Sequence, residues 1–219
     1  MGLGLTLSFS HRQTWSHDGS VVYSVSKDGC VGRLVSNKSS STKFRPGGGK
    51  RRPLYSVALL PEEAVGPGGL LVGSFAQVMW VDLDTQVVLR TFGGHVGAVG
   101  ALHALAVSPG RPPYALSAGS GEKDRMVSVW RLEAKGEEEE LRPEALLNVS
   151  EPVGWVTAAA PAALDEEEEG DILVGCVSRT GVLRCFEVET ASKRKKKSKA
   201  VRPKITVQVK RRPYCLEQD

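Results

Sequence analysis

His95, a serine at 117 or 120, and Asp124 have the residue types of a Ser-His-Asp catalytic set. In such a set the histidine takes the hydroxyl proton and the carboxylate orients the imidazole. The chemistry also needs an oxyanion hole and a turn that exposes the nucleophile. Nothing in the neighbouring sequence supplies either. Trp130, six residues after Asp124, suggests a different use of the same side chains. Buried polar groups need partners, and His95, Ser117, Asp124 and Trp130 together resemble the buried set of a known repeat class, which implies that they satisfy one another and fix local geometry. That structural use is the preferred reading. The segment Ser120-Gly121-Glu122-Lys123-Asp124 is long for a tight turn, so Ser117 and Ser120 both stay open as the hydroxyl.

The elements that would hold these residues recur along the chain. Leu70 to Ser74 leads through Gln77 to Asp82, Ala115 to Gly119 through Met126 to Arg131, and Asp171 to Cys176 through Gly181 to Phe186. A weaker copy runs from Val21 through the turn Lys27-Asp28-Gly29 to Val35. Each copy is an apolar strand, a small-residue turn and a second strand ending near a bulky residue. Those bulky residues, Leu34, Trp80, Trp130 and Phe186, lie 46, 50 and 56 positions apart. Periods near this length mark propeller blades of four strands, about 40–45 residues each in the WD40 class. The expected fold is all-β, a partial WD40-type β-propeller of about four blades with an incomplete ring. It spans 15–209. Residues 1–14 are either an inner strand or an unassigned lead, and 210–219 are a tail. The Ser-, Gly- and Lys/Arg-rich stretch 36–53 is expected to be a flexible loop. Ser74 and Thr180 stand where the first and last of the later copies would carry a turn Asp.

The 219 residues carry a net charge of +4, unevenly placed. Residues 192–219 hold 11 Lys/Arg against 2 Asp/Glu, and the rest of the chain is net acidic. Lys193, Arg194, Lys195, Lys196, Lys197 and Lys199 form a basic loop over 192–200, expected to be inserted in the fourth blade. Such a run suits nuclear import or contact with nucleic-acid phosphates, and the same residues can serve both. No aromatic is interleaved with it, so stacked single-strand bases are not indicated. Acidic runs at 137–140 and 165–169 are expected to be solvated turns. Cys30, Cys176, Cys185 and Cys215 lack metal-finger spacing, and no histidine cluster joins them, so no metal is expected. His103 lies in an apolar inner strand and is expected to be a satisfied core histidine. Gly47-Gly48-Gly49-Lys50 lacks the hydroxyl that would hold magnesium, and no other cofactor motif is present. No apolar run approaches the ~20 residues needed to cross a bilayer, so no membrane role is expected. A propeller without catalytic groups is expected to hold partners, not to be an enzyme.

Residues 54–209 taken in order resemble one family. The carriers are Trp80 through His95, Leu116 to Gly119 followed by Asp124 to Trp130, Val149 to Val153, Cys176 to Gly181 and Phe186-Glu187, with the basic insertion before Lys204. This is similar to the WD40 subunits of the UTP-A (t-UTP) subcomplex of the small-subunit processome. The resemblance implies a scaffold of the nucleus and nucleolus that assembles on the 5′ external transcribed spacer of pre-rRNA. It would support 18S maturation, ribosome biogenesis and ribosomal DNA transcription. The partners implied are other UTP-A subunits, the pre-rRNA and an import receptor. The alternative is a WD40 adaptor of another pathway, such as a substrate receptor or chromatin reader.

Overall fold

The computed structural model describes residues 10–36, 40–48, 51–60, 69–106, 112–132, 143–160, 171–188 and 205–208. Among these the chain is all-β. Sixteen strands form four sheets of four, each an antiparallel meander in chain order. Sheet 1 holds β1 (Ser10–Trp15), β2 (Val21–Ser26), β3 (Val31–Val35) and β4 (Ser41–Phe44). Sheet 2 holds β5 (Ser56–Leu59), β6 (Gly69–Gly73), β7 (Val78–Asp82) and β8 (Val88–Phe92). Sheet 3 holds β9 (Val99–Leu105), β10 (Tyr114–Gly119), β11 (Met126–Arg131) and β12 (Ala145–Asn148). Sheet 4 holds β13 (Val153–Ala159), β14 (Ile172–Ser178), β15 (Val182–Val188) and β16 (Ile205–Gln208). The first strands β1, β5, β9 and β13 contact one another in series, which sets the sheets side by side around a common axis. The arrangement is propeller-like and the ring is not closed.

Three apolar clusters glue neighbouring sheets. Tyr23, Val25 and Val31 of sheet 1 meet Val57, Leu70, Val72, Met79 and Val81 of sheet 2. Ala58, Leu71, Trp80 and Phe92 of sheet 2 meet Ala115 and Trp130 of sheet 3. Leu116, Val127, Val129 and Leu147 of sheet 3 meet Val156, Val174, Cys176 and Phe186 of sheet 4. A strand's side chains alternate between its faces, so each interior sheet buries both. Fully burying one such apolar side chain is worth about 1.5–3 kcal/mol, which makes these clusters the main source of stability.

Two expectations are corrected. The stretch 36–53 is not one flexible loop, because β4 lies inside it. Its polar sequence Ser-Thr-Lys-Phe is ordered by the ladder to β3, with Val31 opposite Phe44 and Leu34 opposite Ser41. Phe44 adds to the cluster between sheets 1 and 2. The second correction concerns Trp80, which is not the counterpart of Trp130. The row Leu59–Leu70–Val81 of sheet 2 faces sheet 1, whereas Ala58–Leu71–Trp80 faces sheet 3. In sheet 3 the row Ala104–Ala115–Trp130 faces back toward sheet 2. Val81 therefore holds the position that Trp130 holds, and Trp80 is one residue out of phase.

β1 takes 10–14 of the residues that the sequence left between an inner strand and a lead, together with Trp15, so sheet 1 begins before residue 15. The hairpin it opens is set by Asp18, whose carboxylate accepts from the Ser16 hydroxyl at 2.6 Å and the Ser20 amide at 3.0 Å. These donors hold the Asp18 carboxyl down to about 2. His103, on β9, is half-buried and hydrogen-bonds the Ala158 backbone across the sheet 3–sheet 4 interface. Burial lowers its pKa below the usual histidine value. The unfolded chain then binds a proton near pH 6.5 that the folded chain resists. This group's contribution is intact above its unfolded pKa and is lost as pH falls through that value toward the folded one. Urea unfolding at pH 7.5 and 5.5 should show a loss at the lower pH that shrinks in His103→Gln. An equal loss in both proteins would assign the effect to other groups.

Candidate functional site

His95, Ser117, Asp124 and Trp130 come together at the axial end of sheet 3. Ser117 sits on β10 and Trp130 on β11, on the face toward sheet 2. Asp124 lies in the β10–β11 turn, and His95 precedes β9. His95 Nδ1 is 3.0 Å from Asp124 Oδ2, and its Nε2 is 2.8 Å from Ser117 Oγ. Trp130 Nε1 donates to Ser117 Oγ at 2.8 Å. The amides of Val96 and Gly97 donate to the same Asp124 oxygen at 3.0 and 3.3 Å. Of the two serines left open, Ser117 is the hydroxyl; Ser120 instead donates to the Ala98 carbonyl at 3.1 Å.

One proton arrangement satisfies every member. The indole N–H donates to Ser117, the Ser117 hydroxyl donates to His95 Nε2, and His95 Nδ1–H donates to Asp124. The opposite tautomer would aim the Nδ1 lone pair at the carboxylate and strand the serine proton. The group is a chain of donors ending on one carboxylate. Its distances equal those of a catalytic triad, but its setting differs. Ser117 is completely buried, with Oγ occupied by the imidazole on one side and the indole on the other. No path remains for a carbonyl carbon to approach that oxygen.

Gly119 is a member that the sequence did not disclose. A Cβ built there would lie 2.0 Å from Asp124 Cγ, so the carboxylate occupies the space any side chain would need. No periodicity or motif signals that requirement, because it arises only when the β10–β11 turn folds back.

The other sheets fill the equivalent positions differently. In sheet 2 the register places Val72 and Val81 where sheet 3 has Ser117 and Trp130, an apolar substitution of both partners. Trp80, on the other face, is buried and its Nε1 has no hydrogen-bond partner among the described residues. Gly69 makes its room, since a Cβ there would stand 2.6 Å from that nitrogen. The two indoles therefore predict different responses. Trp130→Phe removes a donor from a satisfied network and should cost about 1–2 kcal/mol through the hydrogen bond beyond the lost ring volume. Trp80→Phe removes an orphaned N–H and should cost less. Thermal unfolding of the pair decides the order, and Trp80→Phe being the more damaging would show that its indole is bonded in solution.

In sheet 4, Cys176 and Phe186 take the Ser117 and Trp130 positions. Burial pushes the Cys176 thiol up to about 11, so it stays protonated as a small core side chain. Thr180 stands at the turn and donates to the Glu151 carboxylate, with Ser178 Oγ 2.8 Å from Thr180 Oγ1. Arg184 lies 3.6 Å from the other Glu151 oxygen. These hydroxyls, then Arg184, hold the Glu151 carboxyl below its usual value.

The axis carries a second feature absent from the sequence reading. A cavity of about 340 Å³ opens there between all four sheets. Arg12, Lys27 and Arg179 line it with Tyr55 and Ser120, and among the described residues none of its lining is acidic. Arg12 crosses the opening and donates to the Gly154 carbonyl of sheet 4. These residues are far apart in sequence, so only the turn of the sheets around the axis brings them together. Lys193, Arg194, Lys195, Lys196, Lys197 and Lys199 lie outside the described residues, in the connection between β15 and β16. Among the described residues no helix is long and apolar enough to cross a membrane. No protein-family model matches this chain, and no curated protein matches it as a relative.

Proposed function

We propose that this chain is a WD40-type β-propeller scaffold that works in the nucleolus as part of the UTP-A subcomplex of the small-subunit processome. The single observation that carries the WD40 part is the network of His95, Ser117, Asp124 and Trp130, which spends its polar groups on holding one blade together. Four residue types that could do chemistry are sealed from solvent, so the surfaces left for function are the sheet edges, the turns and the axial opening. That distribution suits a protein that binds others. The axial opening adds cationic side chains of Arg12, Lys27 and Arg179, which suit an acidic partner or phosphates. The processome part rests on the order of motifs through 54–209 and on the basic run at 193–199. Together they support a scaffold for pre-rRNA processing that contacts other UTP-A subunits and the 5′ external transcribed spacer.

The test is capture of the tagged chain from cells, followed by identification of co-purifying proteins and RNA. Recovery of UTP-A subunits with pre-rRNA spanning the 5′ spacer is the expected result. Recovery of a ubiquitin-ligase core or of modified histones, without pre-rRNA, would replace this reading with the adaptor alternative.

A further inference from the structure

We infer that the axial cavity is a binding site for a compact polyphosphate, a small molecule carrying two or more phosphate groups, which clasps sheet 1 to sheet 4. This narrows the cationic opening to one ligand class, and it rests on the arrangement of the sheets, not on the processome reading. Three cationic side chains converge on the cavity from the two end sheets. Arg12 of β1 and Lys27 of the β2–β3 turn come from sheet 1, and Arg179 of the β14–β15 turn comes from sheet 4. Among the described residues no carboxylate lines the cavity with them. Asp28, beside Lys27 in sequence, accepts instead from the Cys30 amide at 3.0 Å. Like charges gathered around a concave surface raise the local potential, and an anion from solution neutralises it.

The donors and the space choose the anion. Arg12 is half-buried and gives one of its five N–H donors to the Gly154 carbonyl, so sheet 4 holds its planar fork at the cavity. A guanidinium fixed in this way matches phosphate oxygens in pairs. Lys27 and Arg179 are exposed and sit on turns of different sheets. A single phosphate group carries a charge of about −1.5 to −2, less than the three cations supply. Two or more phosphates in one molecule match the charge and reach from sheet 1 to sheet 4. A volume of about 340 Å³ lies near the small end of small-molecule sites. An RNA strand or extended peptide running along the axis would have to break the bond from Arg12 to Gly154. Ser120 already spends its hydroxyl proton on the Ala98 carbonyl, so recognition falls to the cations.

Calorimetric titration of the purified full chain with sodium tripolyphosphate tests the site. One molecule per chain should bind and raise the melting temperature, because a ligand of the folded state stabilises it. Inorganic phosphate at the same ionic strength should bind far more weakly. Arg12→Gln, Lys27→Gln and Arg179→Gln should each weaken tripolyphosphate binding by about tenfold or more, the loss of one charge-assisted hydrogen bond. The variant with Lys193, Arg194, Lys195, Lys196, Lys197 and Lys199 all changed to glutamine should bind like the parent. Lys27 and Arg179 are exposed, so their variants should melt like the parent without ligand, and they decide the matter if Arg12→Gln unfolds early. Absence of tripolyphosphate binding overturns the inference, as does equal affinity for inorganic phosphate. Binding untouched by Lys27→Gln and Arg179→Gln, or lost in the six-glutamine variant, assigns the anion to the basic run and overturns it too. An RNA oligonucleotide that displaces tripolyphosphate from the six-glutamine variant would make the opening an RNA contact in place of a small-molecule site. None of these results bears on which proteins co-purify from cells, so each reading can fail alone.

Discussion

Trp130→Ala is expected to cost about 3–5 kcal/mol of unfolding free energy, a large share of what a domain of this size has. Three losses add. The indole is among the largest fully buried side chains of the chain. It packs on Phe92 with ring centroids 5.3 Å apart and planes tilted by 55°, which ties sheet 3 to sheet 2. Its N–H is one of the two contacts that fix Ser117. Asp124→Ala should cost less, about 1–3 kcal/mol, by leaving His95 and the amides of Val96 and Gly97 without their acceptor. Because the two residues share Ser117 and His95, the double variant should cost less than the sum. Urea unfolding of the two single variants and the double variant measures all three terms. Strict additivity would mean that the hydrogen-bond chain is not coupled, and two parent-like melts would mean that sheet 3 does not depend on it.

The parts of this fold that were legible in the sequence are those where local pattern and tertiary role coincide. β13 shows this, since apolar Val153, Val156 and Ala158 point inward from a strand whose other positions are exposed or small. Asp124 was legible because, with His95 and Trp130, it resembles the polar set of a WD40 repeat. Trp80 was not placed correctly, and the reason is visible in its strand. Val78, Met79, Trp80 and Val81 are all buried, so no polar residue marks which positions share a face. A strand covered on both sides loses the alternation that sets its phase, and a slip of one residue exchanges the faces. β4 was hidden for the opposite reason. Its outer positions are polar and exposed, and its order comes from pairing with β3, which composition does not record. Gly119 and Arg12 act through contacts across the turn and across the axis, which the linear order of residues does not contain.

Replacing Lys193, Arg194, Lys195, Lys196, Lys197 and Lys199 together by glutamine is expected to move the chain from the nucleus to the cytoplasm. Six cations within seven positions form a dense positive segment that an acidic import receptor can read, and glutamine keeps the length while removing the charge. Under the proposed function the same cations would also release counterions from RNA phosphates, and the segment would hold the chain in the nucleolus after entry. Fluorescence of the tagged variant, with and without an unrelated import signal at its end, separates the two roles. Restored entry with diffuse nuclear signal is expected, because the foreign signal replaces transport but not phosphate contact. Nucleolar accumulation restored in full would confine the loop to transport. Accumulation untouched by the six changes would leave the propeller surface as the binder, with Arg12, Lys27 and Arg179 at the axial opening as the next cations to neutralise.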